Sequence, residues 1–316
     1  MSTTIPTLPA GYTIRHAGPD DLRAIYELVR EVEIADEGDS DFTEEDMQIV
    51  WKTSDPANVW LVEDEEGRLA GSALIQPRHP TRLRVFSGVA TAHRGKGIGT
   101  HLLHLVDERA GVLAAKAPAG EKVMIGRGVG ALNTDAAPLF ERHGYELARK
   151  FWKMGIDLAE EPPEPELPEG FVIETLRPGT EREIFDASED AFQDHWDFTP
   201  HDYEEWRAWT VERESFDPKS WFVVYDGDEM AAGTMNFLEQ DEGWVGVLFV
   251  RRPWRRRGLG LALLQASFRE FRKRGLTKGA LGVDTENLTG ATRLYERAGM
   301  HVVRESSFYW KEVTRA

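Results

Sequence analysis

The chain of 316 residues contains no cysteine. Disulfide bonds, thiolate nucleophiles and cysteine-ligated zinc are therefore excluded. The sequence also lacks any apolar run of about 18 residues, the length that a membrane-spanning helix requires. Its N-terminus lacks the basic and apolar regions of a secretory signal. We therefore expect a cytoplasmic protein that does not enter a membrane.

Basic residues are fewer than acidic ones, with 38 Lys and Arg against 55 Asp and Glu and a formal net charge of -17. Because an acidic chain repels polyanions, we expect neither nucleic acid nor an anionic membrane as a partner. A small cationic or amine-bearing molecule suits this charge better. The composition, with 41% hydrophobic and 29% charged residues, is otherwise that of a folded globular protein.

Two halves of the sequence repeat the same motifs in the same order. The matching pairs are HRGKGIGTHLL (93–103) with WRRRGLGLALL (254–264), ALNTDAAPLFERHGY (131–145) with DTENLTGATRLYERAGM (284–300), and FWK (151–153) with YWK (309–311). Between the halves lies a segment rich in proline and glutamate, 159–170, which favours an extended linker. We predict a tandem duplication with an N-terminal domain at 1–158 and a C-terminal domain at 171–316.

Short strands alternate with amphipathic helices, which predicts α/β or α+β domains with a mixed sheet and helices on both faces. In the second half, the predicted strands are 171–175, 221–225, 229–238, 243–250, 279–284 and 300–310, and the predicted helices are 181–192, 201–213, 258–274 and 288–298. Leu264, Phe268 and Phe271 share one face of the third helix, which predicts that this face packs on the sheet.

The stretch RRPWRRRGLGLALL (251–264) concentrates arginine and glycine between a predicted central strand and a helix. The pattern Arg255-x-x-Gly258-x-Gly260 leaves backbone N–H groups unpaired at a helix N-terminus, where an anion binds favourably. Glycine allows close approach of a phosphate, and arginine adds charge-assisted contacts. We therefore predict a pyrophosphate site. The alternatives are a solvated basic loop and a nucleic-acid patch.

The stretch VRRPWRRRGLGLALL, followed by VDTENLTGATRLYERAGM, resembles the acetyl-CoA-binding motif and the C-terminal Asn…Leu-Tyr…Gly motif of the GNAT superfamily of N-acetyltransferases. The resemblance covers nearly all of 171–311, and 12–158 resembles the same fold. The layout is similar to that of the two-domain mycothiol synthase family. The resemblance implies two tandem GNAT-like domains, each with a mixed sheet flanked by helices, and acetyl-CoA as cosubstrate.

The resemblance also implies which residues bind acetyl-CoA. In the second domain they are Leu248, Phe249, Val250, Arg255, Arg256, Arg257, Gly258, Leu259, Gly260, Leu261 and Asn287. In the first domain the matching positions are Val89, Ala90, Arg94, Gly95, Lys96, Gly97, Ile98, Gly99 and Asn133.

By the same resemblance, Tyr295 lies near the sulfur of the cosubstrate. The thiol that leaves has a pKa of about 8.5, so a phenol within hydrogen-bond reach can stabilise or protonate it. The alternative is a helix tyrosine that only packs on the sheet. Phe140 stands at the matching position of the first half. We therefore expect the first domain to lack the proton donor and the second domain to carry the chemistry.

An attacking ammonium must first lose a proton, and Glu242 is our candidate base. A solvated hairpin glutamate is the alternative, and Glu239 is a second candidate near the acceptor. The segment 189–217 holds ten carboxylates and two arginines with several tryptophans, which suits a cationic amine. We place His195 and Trp196 from this segment at the acceptor. A solvated helical face, with His195 as a surface or capping residue, is the alternative.

These observations favour an acetyl-CoA-dependent N-acetyltransferase that acts on a small-molecule amine by direct attack in a ternary complex. The alternatives are a protein or peptide N-acetyltransferase and a non-catalytic regulatory protein that binds acetyl-CoA. We expect no metal cofactor, and a monomer or a homodimer.

Overall fold

The computed structural model describes residues 7–238, 241–287 and 290–315. These residues form two compact units, which are described separately below. The first contains residues up to Lys150 together with the C-terminal segment from Glu305, and the second is Phe151–Arg304. Within the described residues, no helix is both long enough and apolar enough to cross a bilayer.

The described residues of the first half of the chain form six strands and four helices. In chain order they are β1 Thr13–His16, α1 Leu22–Glu37, α2 Glu44–Thr53, β2 Val59–Glu63, β3 Leu69–His79, β4 Arg82–Val89, α3 Ile98–Ala114, β5 Met124–Gly130, α4 Ala136–Arg142 and β6 Glu146–Asp157.

The second half repeats this order among its described residues. Its elements are β7 Ile173–Thr175, α5 Glu181–Phe192, α6 Tyr203–Trp209, β8 Phe222–Asp226, β9 Glu229–Leu238, β10 Glu242–Val250, α7 Leu259–Lys273, β11 Lys278–Asp284, α8 Ala291–Arg297 and β12 His301–Glu312. The repeated order is what the predicted duplication requires.

Each unit has a mixed sheet with one parallel pairing. In the first unit the strand order is β1-β2-β3-β4-β5-β12, with β4 and β5 parallel and the other pairs antiparallel. In the second unit the order is β6-β11-β10-β9-β8-β7, and β10 and β11 are the parallel pair. The predicted fold class is confirmed.

Each unit takes its last strand from the other half of the chain. Phe151–Asp157 pairs with Asp284–Lys278 in the second unit, and Ser306–Glu312 pairs with Gly130–Met124 in the first. The predicted domain boundaries, 1–158 and 171–316, therefore differ from the compact units at these strands. The FWK motif lies in the second unit and the YWK motif in the first.

The stripe predicted on α7 is buried as expected, with Leu264, Phe268 and Phe271 in one apolar cluster. A methyl group placed on Gly243 of β10 would lie 2.2 Å from the Phe271 ring, so this glycine allows the ring to pack directly on the strand. Full burial of a side chain of this size contributes about 2–3 kcal/mol. The contact fixes α7 against the central strand.

Helix α6 is shorter than predicted. It ends at Trp209, whereas the sequence pattern predicted a helix through residue 213. The Thr210 hydroxyl donates to the Trp206 carbonyl oxygen at 2.6 Å, and the Thr210 backbone leaves the helical conformation (φ -132, ψ -80). A side chain that bonds to the preceding turn competes with continued helix, which accounts for the difference.

Candidate active site

The strands β10 and β11 diverge in the second unit. Their parallel register extends from Glu242 and Lys278 to Trp244 and Ala280, although both strands continue beyond it. Against β9, the register of β10 shifts between Val245 and Val247, which is a β-bulge at Gly246. The bulge bends β10 where the pairing with β11 ends. The last residues of β10 therefore line one side of a wedge-shaped opening between β10 and β11. They include Leu248, Phe249 and Val250, which we predicted to bind the cosubstrate.

The loop after β10 leads into the N-terminus of α7. Gly258 caps the helix with φ +88, and Arg256 also adopts a left-handed conformation with φ +64. Within the described part of the chain, the backbone N–H groups of residues 256–260 have no hydrogen-bond partner. Consecutive unpaired N–H groups at a helix start bind anions. The loop therefore fits the diphosphate of acetyl-CoA.

Three of the five arginines at 251–257 bind carboxylates of the protein. Arg251 pairs with Asp190 at 2.7 Å, and Arg252 contacts Asp194 at 2.5 and 2.9 Å. Arg255 donates to the carbonyl oxygens of Val250 and Ala191 and, at 2.9 Å, to Asp194.

These contacts do not support the anion contact that we predicted for the Arg255 guanidinium. The side chain instead joins the end of α5 to the start of the loop. Arg256 and Arg257 are exposed, and they supply the positive charge around the unpaired N–H groups.

Tyr295 lies on α8, where it is 9% exposed. It belongs to the same apolar cluster as Trp152 of β6 and Leu248 of β10. Burial raises the pKa of Tyr295 to about 12, so the phenol stays protonated at neutral pH. Its hydroxyl makes no hydrogen bond to the residues that the structure describes. Asn287, the other predicted residue of this motif, lies in the turn between β11 and α8.

Glu242 is held by an ammonium group. Its carboxylate accepts a hydrogen bond from Lys153 of β6 at 2.6 Å, and the two side chains are 21% and 8% exposed. The Lys153 ammonium also lies 5.6 Å from the Trp244 ring centroid. The carboxylate is thus already bound by an ammonium group of the protein. The contact argues against the predicted role of Glu242 as general base.

His195 follows α5, with its ring 4.2 Å from that of Phe192. Burial is the main cause that lowers the pKa of His195, and the charge of Arg255 lowers it further, while Asp284 at the end of β11 opposes this. The imidazole is therefore mainly neutral at pH 7. Trp196 comes next and is half-buried, and the predicted Glu239 lies outside the described residues.

The loop of the first unit has the same backbone form. Gly95 and Gly97 have φ +74 and +90, and the matching Arg256 and Gly258 of the second unit have φ +64 and +88. Arg94 donates to the Val89 carbonyl oxygen at 3.1 Å. It also forms an ion pair with Asp36, in which nitrogen and oxygen are 2.7 Å apart. The angle of this contact lies outside hydrogen-bond geometry. This arginine, too, is bound within the unit.

The Asn133 amide, which we predicted to bind cofactor, donates to the other Asp36 oxygen at 2.8 Å. Phe140 occupies the place of Tyr295, and its ring packs against those of Tyr145 and Tyr309. The matching positions of the first unit are thus largely used for internal contacts.

The last turn of α1 spans the corresponding wedge of the first unit. The parallel register of β4 and β5 ends at Val85 and Arg127. A methyl group placed on Gly88 of β4 would lie 2.9 Å from Val32, and one on Gly130 of β5 would lie 2.3 Å from the Asp36 carbonyl oxygen. That oxygen also accepts a hydrogen bond from the Leu132 N–H. The turn therefore closes the space between the two strands.

Sequence reasoning missed Asp194, Lys153 and Asp36. Each of them acts through a partner that is distant in the sequence: Lys153 and Glu242, for example, are 89 positions apart. The only available signal was the lysine that FWK and YWK share. The shared lysine indicated that the two positions have the same role in both halves, but it did not identify the carboxylate that each lysine binds.

Comparisons with known proteins agree with this architecture. An acetyltransferase (GNAT) family model matches residues 182–300, and an acetyltransferase (GNAT) domain model matches residues 55–147. A mycothiol acetyltransferase from Geodermatophilus obscurus is 32% identical over 67% of this chain and 68% of its own length. Another, from Salinispora arenicola, is 30% identical over 95% of this chain and 96% of its own.

Solved structures show the same two-domain fold. The crystal structure of a GCN5-related N-acetyltransferase from Sphaerobacter thermophilus is 35% identical, with 97% of each chain covered and a TM-score of 0.82. A tandem GNAT protein from the clavulanic acid biosynthesis pathway is 16% identical and shares the fold, with 96% and 99% of the two chains covered and a TM-score of 0.72. The chain therefore belongs to the GNAT family, as a tandem N-acetyltransferase that uses acetyl-CoA as cosubstrate.

Proposed function

We propose that the chain acetylates the amine of a small molecule and that the second unit carries the chemistry. The observation that carries this proposal is the difference between Tyr295 and Phe140 at matching positions. At these matching positions the second unit has a buried, protonated phenol beside its wedge, whereas the first unit has a phenyl ring without a hydroxyl. The mycothiol acetyltransferases among the relatives support a small-molecule acceptor. So does the acidic, tryptophan-bearing segment 189–217.

Acetyl-CoA supplies an activated acetyl thioester. In the second unit, the N–H groups of residues 256–260 bind its diphosphate, and the wedge face of β10 from Val247 to Val250 receives the extended arm. The Tyr295 hydroxyl donates a hydrogen bond to the departing sulfur. Because the phenol has a higher pKa than the thiol, it stabilises the thiolate mainly through this hydrogen bond.

The proton of the acceptor ammonium requires a base other than the lysine-bound Glu242. His195 is neutral because burial and Arg255 lower its pKa, so an imidazole nitrogen can accept a proton directly or through one water molecule. His195 belongs to the segment 189–217 that we assign to the acceptor, and Arg255 and Asp284 are among its charged neighbours. The ternary complex therefore needs no covalent enzyme intermediate.

A thiol-release assay with Tyr295→Phe tests this proposal. The exchange removes only a hydroxyl that makes no hydrogen bond to the described residues, so the fold is retained. We expect kcat to fall roughly 10²–10⁴-fold, with the Kd for coenzyme A nearly unchanged. Since the pKa of Tyr295 is about 12, wild-type kcat shows no loss from phenol deprotonation below about pH 10.

The matched control is Phe140→Tyr, which adds a hydroxyl at the corresponding place in the first unit and leaves turnover unchanged. The substrates are a panel of small amines, including amino sugars, alongside N-terminal and lysine peptides. Unchanged kcat in Tyr295→Phe would remove the proposed acid. Turnover of peptides alone would contradict a small-molecule acceptor. Binding of acetyl-CoA without turnover of any amine would favour a regulatory protein.

A further inference from the structure

The carboxylate of Asp194 joins the two parts of the second unit to which we assign acceptor and cosubstrate. It lies two residues after the end of α5 and directly before His195. Its two oxygens contact Arg252 at 2.5 and 2.9 Å and Arg255 at 2.9 Å. Both arginines belong to the segment between β10 and the anion-binding loop. Asp194 is thus a shared counterion for two guanidinium groups.

Arg255 extends this connection to the backbone on both sides. Besides Asp194, it binds the Val250 carbonyl oxygen at the end of β10 and the Ala191 carbonyl oxygen in the last turn of α5. The next residue, Arg256, holds a left-handed conformation with φ +64 that is unfavourable for a side chain other than glycine. The direction of the unpaired N–H groups therefore depends on how firmly Arg255 is held.

We propose that Asp194 is a positioning residue that orients the loop 256–260 for the diphosphate and ties it to His195 and the rest of the acceptor segment 189–217. The inference rests on the proposed binding of acetyl-CoA in the second unit. Asp194 does not touch the cosubstrate in this proposal. It acts by holding Arg252 and Arg255, which leaves Arg256 and Arg257 to face the anion.

A purely electrostatic view predicts the opposite effect. Asp194 is a negative charge near a site for a polyanion, so its removal by itself would strengthen binding. It would also release two guanidinium groups that could reach the diphosphate. The direction in which affinity changes therefore separates a positioning role from a charge effect.

The test is Asp194→Asn in the full chain, with coenzyme A binding measured by isothermal titration calorimetry. We expect the Kd to rise about tenfold or more, because misplaced binding groups cost affinity even when they are still present. In the assay, KM for acetyl-CoA rises with it, while kcat at saturation changes less than threefold. The Asp194 side chain is 40% exposed, so the variant should fold normally.

Two further variants sharpen the result. Asp194→Glu retains the charge and should restore part of the affinity. The double variant Asp194→Asn/Arg252→Gln keeps the wild-type net charge beside the loop but leaves Arg255 without its carboxylate. The double variant should still bind coenzyme A weakly. If the single variant does not fold, the double variant alone tests the positioning role. Asp186→Asn is the control, since it removes a charge from the exposed Arg182 pair on α5, the helix that precedes Asp194.

Unchanged or tighter binding in Asp194→Asn, or wild-type affinity in the double variant, would overturn the positioning role while leaving the proposed function intact. A wild-type chain that binds no coenzyme A would overturn both. An equal loss of affinity in Asp186→Asn would show that the loss does not depend on the contacts of Asp194 with Arg252 and Arg255, and it would also overturn the proposal.

Discussion

The two units share a loop conformation and differ in what surrounds it. Gly97 and Gly258 cap their helices with φ +90 and +88, and an arginine three residues earlier binds an aspartate in each unit. In the first unit, however, the last turn of α1 closes the wedge between the parallel strands, and a phenylalanine replaces the tyrosine. The loop geometry has persisted in a unit whose other site features are altered. Our proposal that the second unit carries the chemistry therefore rests on these surroundings and not on the loop.

Replacement of the helix-capping glycine tests this comparison with the largest expected effect. Gly258→Val and Gly97→Val place the same β-branched side chain at nearly the same positive φ, and neither new Cβ meets a close neighbour. Both variants should therefore lose similar stability. We expect kcat/KM for acetyl-CoA to fall about 10²-fold in Gly258→Val only, because the N–H groups are displaced.

Native mass spectrometry completes this test by counting bound coenzyme A. We expect one molecule per wild-type chain and none in Gly258→Val at the same concentration, while Gly97→Val retains one. Two molecules per wild-type chain would show that the first unit also binds the ligand. The contrast between the two wedges would then be contradicted.

The lysines of the exchanged strands offer a second comparison. Lys153→Met leaves the mostly buried Glu242 carboxylate without its ammonium, which should cost about 2–3 kcal/mol. Lys311→Met breaks the contact of 2.7 Å with Asp107, whose other oxygen still accepts from the Tyr145 hydroxyl. Because this pair is more exposed, the loss should be about 1 kcal/mol. Differential scanning calorimetry would detect the larger decrease in Tm for Lys153→Met, and equal decreases would contradict the expected difference.

The smallest expected effect comes from an exchange of the loop residues that differ between the units. Arg256→Gly relieves the left-handed strain and should stabilise the chain by about 0.5–1 kcal/mol. It should also raise the Kd for coenzyme A about tenfold by removing a charge-assisted contact. Gly95→Arg makes the reverse change in the first unit and should lose stability without any gain in binding. Affinity that is insensitive to Arg256 would assign the diphosphate to the backbone alone.

The sequence was sufficient to predict the duplication, the element order and the loop, because these depend on local patterns. Glycine spacing and a change from strand to helix periodicity lie within one short segment and need no knowledge of tertiary contacts. The difference between Tyr295 and Phe140 at matching positions is visible in the sequence for the same reason, whereas the role of Tyr295 is implied by the family resemblance and stays a prediction. What could not be predicted depends on which distant side chains meet.

Glu242 illustrates this limit. Its place at the start of a central strand made it a reasonable base, and only the pairing of β6 with β11 shows that Lys153 lies beside it. The exchanged strands were also hidden by the duplication. FWK and YWK are so similar that either motif suits either sheet, and local sequence does not decide between them. The arginine cluster was interpreted through its charge, although most of that charge is neutralised by aspartates from α5 and the segment that follows it.

The strand exchange has a consequence for how the protein is made. The sheet of the first unit is completed by Ser306–Glu312, which are synthesised only after the whole of Phe151–Arg304. Translation at about 5–20 residues per second normally lets an N-terminal domain fold while the rest is still being synthesised. Here that early folding is incomplete, since β5 lacks its antiparallel partner strand until Ser306–Glu312 have been synthesised. A premature stop anywhere before residue 306 therefore removes a strand from the first unit as well as part of the chain that follows it.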